Sequence, residues 1–256
     1  MFGYRDKIGR VEWFMSNREG GYSTNAYQSL NLGFYSGDDE SSVLRNREAL
    51  SQCLGITSSH LIIPKEVHET QWIWVESMHT RLSVAEREQL FVCDALLTKE
   101  PGICIGVTTA DCVPILLYDD SQRVVAAVHA GWKGVVKGIL PKVVKEIASQ
   151  MAIMPEHLNM RVNACISAAC FEVGEEVAKL FEKEGLDHDI VIRSSNYTKP
   201  HIDLRKAIKQ QAEACGVKRD KISISNECTY DNDRYFSARR DGFASGRMVS
   251  GIMLHP

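Results

Sequence analysis

Apolar positions fall along this chain in two rhythms. Short apolar runs crowd its first half, at Ile8 to Phe14, Leu61 to Ile63, Gln71 to Val75, Cys93 to Thr98, Ile103 to Thr108, Ile115 to Tyr118 and Val124 to Val128. Runs this short, bounded by turn residues, predict strands. The gaps between them are mostly too short for crossover helices, so a mixed or largely antiparallel sheet is expected and a doubly wound parallel one is disfavoured. Helical spacing appears at Leu44, Leu50 and Leu54, opened by the hydroxyls of Ser41 and Ser42 and stopped by Gly55. It returns at Val135, Ile139, Val143 and Ile147 within Gly134 to Gln150, where Pro141 kinks or restarts the helix.

The second half alternates. It reads as strand Met160 to Ile166, helix Gly174 to Glu184, strand Ile190 to Ile192, helix Leu204 to Cys215 between Asp203 and Gly216, and strands Ile222 to Ser225 and Arg247 to Leu254. No linker, repeat or low-complexity stretch breaks the pattern. The expectation is an α/β fold of α+β-like character: one layered domain over residues 1–256, with a mixed sheet flanked by helices.

Charge narrows the class of partner. Lys and Arg number 30 against 33 acidic residues, giving a formal charge of −3 with the signs interspersed, so nothing steers the chain toward nucleic acid. No apolar stretch reaches the ~20 residues a membrane helix needs, since Asp111 and Pro114 break even Ile103 to Leu117. The N-terminal ten residues carry four charges and no signal-peptide core, and the eight cysteines include no C-x-x-C pair. A cytoplasmic protein with reduced thiols and a small substrate is expected, its oligomeric state left open.

Three side chains stand beside predicted strands with chemistry to offer: His68, Cys112 and His129. A thiolate and two imidazoles suit a borderline-soft ion such as zinc, and three protein ligands leave a fourth position for water or substrate. Spacing alone also leaves each His readable as a satisfied core residue. Asp111 puts a carboxylate beside Cys112, able to orient a His or a water or simply to cap a turn, while Gly131 and Gly134 flank Trp132 where backbone approaches something closely.

At these residues the chain resembles a known family. Thr108-Thr109-Ala110-Asp111-Cys112-Val113-Pro114, Val128-His129-Ala130-Gly131-Trp132-Lys133-Gly134, Val67-His68 and Phe236-Ser237-Ala238-Arg239-Arg240-Asp241-Gly242 are similar to the YfiH/YlmD family, also called the laccase-domain or polyphenol-oxidase family. Further likeness runs through Arg18-Glu19-Gly20-Gly21, Asn46-Arg47, Asp94-Ala95-Leu96, Phe171-Glu172-Val173-Gly174, Cys228-Thr229 and Gly246-Arg247. The resemblance implies zinc held by His68, Cys112 and His129. It also implies phosphorolysis of purine nucleosides (adenosine, inosine, guanosine and methylthioadenosine), a transferase reaction, and adenosine deamination, a hydrolase reaction.

Zinc lowers the pKa of a water it binds toward ~7, as a deaminase requires. Phosphorolysis instead needs cations around a phosphate placed against the anomeric carbon, for which Arg18, Arg47 and Arg240 are the candidates, with Lys133 where relatives usually carry Arg. This chain also has Glu66 and Glu69 around Val67-His68 where relatives usually have Gln and Gly, adding negative charge near the metal that would weaken anion binding. Relatives' Gly-Pro loop reads Val162-Asn163-Ala164-Cys165 here. Two alternative readings share the site: a copper-dependent polyphenol oxidase (laccase), against which the absence of any H-x-H pair argues, and an amide hydrolase editing peptidoglycan precursors. A non-catalytic structural metal site is the reading from another class.

Overall fold

The computed structural model describes residues 1–186 and 189–256. Its class is the expected α/β, with the strands divided between two principal sheets and a short ribbon. In chain order the strands are β1 (Phe2–Ile8), β2 (Val11–Ser16), β3 (Leu61–Ile62), β4 (Trp72–Val75), β5 (Ala95–Thr98), β6 (Cys104–Thr109), β7 (Val113–Asp119), β8 (Val125–Ala130), β9 (Leu158–Val162), β10 (Val191–Ile192), β11 (His201–Ile202), β12 (Ile222–Ile224) and β13 (Met248–Leu254). The helices are α1 (Glu40–Leu54), α2 (Val84–Leu90), α3 (Trp132–Val136), α4 (Ile139–Met151), α5 (Glu175–Lys183), α6 (Leu204–Ala214) and α7 (Ala238–Asp241).

One sheet runs β1-β2-β13-β6-β3 and the other β12-β9-β7-β8-β5-β4, while β10 and β11 pair alone. Both large sheets are mixed: β3 with β6, β4 with β5 and β9 with β12 are parallel, and the remaining ladders antiparallel. The period-2 alternation of strands explains the layering. In β8, Val125 and Ala127 face a core that includes Trp13, Ile105, Val107, Leu116 and Ile252, so the sheets pack face to face. The alternate residues Ala126, Val128 and Ala130 join Val135, Ile139, Val143, Phe181 and Ile208 beneath the helices. On the far side of the other sheet, Phe14, Cys104, Val249 and Met253 pack with Leu50 and Leu54 of α1.

Three elements differ from the sequence expectation for definable reasons. The first strand is a hairpin, not a single run from Ile8 to Phe14: Gly9, at φ +55°, turns the chain between β1 and β2. Most of β1 is exposed, so hydrophobicity carried no trace of it. The cap of α1 is Asp39, whose carboxylate accepts from the Ser42 amide and hydroxyl, rather than either serine. The 134–150 helix is two helices, because Gly138 adopts the left-handed conformation at φ +70° and α4 restarts after it, with Pro141 inside the first turn. Among the described residues no helix is long and apolar enough to cross a membrane.

Candidate metal centre

Two crossings between the large sheets meet at one place. The chain leaves β6 at Thr109, passes through Ala110-Asp111-Cys112 and enters β7 at Val113; similarly, residues 63–71 carry it from β3 to β4 and contain His68. His129 lies on β8, where Ala130 pairs with Val113, so it stands beside the Cys112 turn. The donor atoms of His68, Cys112 and His129 all lie within 4.8 Å of one another. The two imidazole rings meet edge to face, with centroids 4.9 Å apart. Gly131 is needed for close approach: a Cβ there would stand 3.1 Å from His68 Cδ2 and 3.2 Å from Cys112 Sγ.

A fully buried carboxylate, Asp94, organises both histidines. Its Oδ1 accepts from His129 Nδ1 at 2.8 Å, leaving Nε2 for the cluster, and from the His68 amide at 2.9 Å. Its Oδ2 accepts the amides of Glu69 (2.8 Å) and Val67 (3.3 Å). Three consecutive amides thus converge on one charge, which holds His68 in the left-handed region at φ +59°, a conformation that costs a non-glycine residue about 1–3 kcal/mol. A carboxylate behind a ligating imidazole is the arrangement that fixes a metal-binding tautomer.

The electrostatics call for a cation. Burial pushes the Cys112 thiol up, but His129 and then His68 outweigh it and bring it down to about 6. Burial likewise opposes protonation of His129, yet the facing Cys112 sulfur and Asp94 raise its pKa well above the ordinary histidine value. A thiolate and a carboxylate flanking one imidazole demand a buried positive charge, and two imidazoles with one thiolate match the donor preferences of zinc. The residues therefore fit such an ion.

The cluster opens into a cavity of about 220 Å³ lined also by Phe34, Tyr35, Arg47, Glu66, Thr108, Thr109, Phe243 and Arg247. Arg47 reaches this wall from α1, with its Nε on the Leu32 carbonyl at 2.9 Å and its guanidinium 4.0 Å over Phe34; burial lowers its pKa to about 10. Thr109 Oγ1 is buried on the same wall with no hydrogen-bond partner among the described residues. A larger cavity, about 460 Å³, lies between α1 and α2 and shares Phe34 and Arg47, but it holds none of the three donors. The three donors line only the smaller one.

The other basic residues singled out in the sequence stand elsewhere. Arg240 donates to the carbonyls of Thr229, Tyr230 and Tyr235 and pairs with Asp241. Arg18 donates to the Gln28 carbonyl and lies 4.6 Å over Phe236. Lys133 is exposed on α3, its Nζ 5.7 Å from the Trp132 ring centroid. None of these three lines the cavity; Arg247 does, and sequence reasoning missed it.

Asp111 turns away from the cavity, accepting from Thr229 Oγ1 at 2.6 Å and from the Arg239 amide at 2.7 Å, at a backbone φ of +97°. The carboxylate that orients a histidine is Asp94, whose signal in the sequence is an acid inside the apolar run Cys93 to Thr98. Of the two added acids, Glu69 turns to Lys137 Nζ at 2.6 Å. Glu66 faces the cavity, where its carboxylate accepts from the Thr108 amide (2.6 Å) and hydroxyl (2.9 Å), and burial pushes its pKa up.

Comparison with known proteins identifies the family and the fold. Residues 12–255 match the family model described as multi-copper polyphenol oxidoreductase laccase. The chain is 39% identical to a purine nucleoside phosphorylase of Bacteroides thetaiotaomicron, over 100% of this chain and 96% of that one. It is also 39% identical to the adenosine deaminase RL5 of an unidentified prokaryote, over 94% and 93% of the two chains. The crystal structure of the hypothetical protein YfiH of Bacillus licheniformis superposes with a TM-score of 0.88 at 25% identity, covering 95% of this chain and 92% of that one.

Proposed function

Because the chain belongs to the multi-copper polyphenol oxidoreductase laccase family, the YfiH/YlmD group, we propose that it is a zinc-dependent purine nucleoside phosphorylase that also deaminates adenosine. Its substrates are adenosine, inosine, guanosine and methylthioadenosine with phosphate, handled in the cytoplasm by one catalytic domain spanning residues 1–256. The observation that carries this reading is the joint lining of a single cavity by His68, Cys112 and His129 together with Arg47 and Arg247.

When bound, zinc supplies Lewis acidity and lowers the pKa of a water it holds to about 7. The protein supplies the remainder. Arg47 and Arg247 hold the phosphate, whose oxygen forms the bond to the anomeric carbon as the carbon–nitrogen bond breaks and the purine departs with the electron pair. Glu66, already fixed by Thr108, offers its remaining lone pairs to the ribose hydroxyls. The rings of Phe243 and Tyr35, 86% and 53% exposed at the cavity rim, give the purine an apolar surface to stack on. Asp94 contributes by position, holding the His129 imidazole and the His68 backbone.

Incubating the protein with adenosine, with and without phosphate, tests the reading. Ribose 1-phosphate is expected with phosphate and inosine without it, and both are lost in Cys112→Ala or after chelation while the circular dichroism of the fold is kept. A chelated protein that unfolds instead points to a structural ion, and an active Cys112→Ala removes the metal from the mechanism. Two imidazoles and a thiolate also accept copper. Copper-loaded protein that oxidises phenols but leaves adenosine unchanged would favour the oxidase.

A further inference from the structure

A second group of soft donors lies behind the Cys112 turn. Cys170 Sγ is 3.4 Å from both carboxylate oxygens of Asp231, and the donor atoms of Cys170, Cys228 and Asp231 all lie within 4.8 Å of one another. Two segments of the chain supply them: the turn Ser167–Cys170, and the stretch following β12, which carries both Cys228 and Asp231. We infer that Cys170, Cys228 and Asp231 form a second metal site, for a thiophilic d¹⁰ cation of the zinc class held by two sulfurs and one oxygen.

Geometry and chemistry support the assignment. For bonds of about 2.0–2.3 Å to a tetrahedral ion, ligand atoms stand roughly 3.3–3.8 Å apart, which the 3.4 Å sulfur–oxygen separation already matches. Cys228-Thr229-Tyr230-Asp231 has the two-residue spacing of a zinc knuckle with a carboxylate in place of the second thiolate. The Ser167 amide donates to Cys228 Sγ at 3.3 Å, the hydrogen bond that steadies a coordinated sulfur. In the same turn Ser167 Oγ is buried and has no hydrogen-bond partner among the described residues. Asp231 is exposed, so the ion has a path in and solvent can supply its fourth ligand.

This location gives the ion a task. Thr229, next to Cys228, bonds Asp111, and Arg239 reaches the carbonyls of Cys170 and Glu172 while its amide meets Asp111. A cation here clasps the two loops that hold the Cys112 turn from behind.

The test is titration of the stripped, phosphine-reduced full chain with Cd²⁺, following thiolate-to-cadmium charge transfer and melting temperature. Wild type is expected to take two equivalents, Cys112→Ser one and Cys228→Ser one. The equivalent kept by Cys112→Ser should carry about twice the band intensity of the other, having two sulfurs instead of one, and should raise the melting temperature of that variant. Asp231→Ala, at an exposed position, covers the case of a Cys228→Ser chain that fails to fold, and should also lose the second equivalent. If Cys112→Ser binds none, or Asp231→Ala still binds two with unchanged intensity, the site does not exist. A Cys170–Cys228 disulfide in freshly purified protein overturns it equally. Absence of the first site would leave wild type with one equivalent that Cys228→Ser abolishes, so the two proposals fail separately.

Discussion

Two carboxylates, Asp94 and Asp111, flank the proposed metal centre and hold it in different ways. Asp94 touches the machinery directly, through His129 Nδ1 and the backbone of His68, and its charge sits fully buried among four donors. Asp111 neighbours Cys112 in sequence yet turns outward to Thr229 and Arg239, so it acts on the sulfur only through the turn it anchors. The arginines differ by placement: Arg47 and Arg247 line the cavity, Arg247 while donating to the carbonyls of Phe243, Ser245 and Gly246, whereas Arg240 is spent on carbonyl groups of the 229–235 loop outside it. Proximity in sequence to a ligand is thus a poor guide to role; what a side chain donates to or accepts from decides it.

Asp94→Asn should break the comparison most strongly. The amide keeps the shape but loses the charge, and its NH₂ must face either the 67–69 amides or His129 Nδ1. Loss of a carboxylate behind a ligating histidine lowers metal affinity about 10–100-fold. Weakening a charge-assisted hydrogen bond costs a further ~1.5–3 kcal/mol of stability. Competition with a chromophoric chelator and urea unfolding measure the two effects. Wild-type metal affinity in Asp94→Asn would place the histidines under some other control.

The site was legible in the sequence unevenly, and the pattern is physical. His68, Cys112 and His129 stood out because few residue types bind a soft metal and because the flanking motifs resemble a family. Asp94 looked like part of a strand, since nothing in a linear sequence shows that residues 67–69 fold their amides onto it. Arg247 was hidden at the head of the predicted strand, one residue before β13, and Arg18 and Arg240 attracted attention because glycine-rich, charged motifs surround them. In the fold, the buried strands and amphipathic helices were readable from periodicity, with boundaries displaced by a few residues. The elements missed were β1, α2 and α7, an exposed edge strand and two short helices with no buried residue, for which hydrophobic pattern carries no signal, and β11, a buried strand of two residues too short to show a period.

Arginine substitutions sharpen the contrast at intermediate size. Arg47→Ala removes a guanidinium from the cavity and is expected to raise KM for phosphate about tenfold, equivalent to about 1.4 kcal/mol. Arg240→Ala leaves three loop carbonyls and Asp241 without their donor, so it should lower stability by about 1–3 kcal/mol with KM unchanged. Steady-state kinetics over a phosphate series, beside thermal melts, separate the two. An exchange of these outcomes would mean that the 229–235 loop, not the cavity, receives the anion.

The smallest effect belongs to Lys133, directly after the His129-Ala130-Gly131-Trp132 motif. Its ammonium is exposed, rests 5.7 Å from the Trp132 ring centroid and has no place in the cavity wall, where Arg47 and Arg247 already supply two guanidinium groups. An exposed cation over a ring contributes about 0.5–1 kcal/mol, so Lys133→Ala should shift stability by no more than that. It should also leave KM for phosphate within about twofold of wild type, a difference of less than ~0.5 kcal/mol. Lys133→Arg supplies a planar fork and should be equally silent, because a fork aimed at solvent grips nothing. Tighter phosphate binding in Lys133→Arg would show that α3 swings its first turn toward the substrate, and the anion would then be shared between this helix and Arg47.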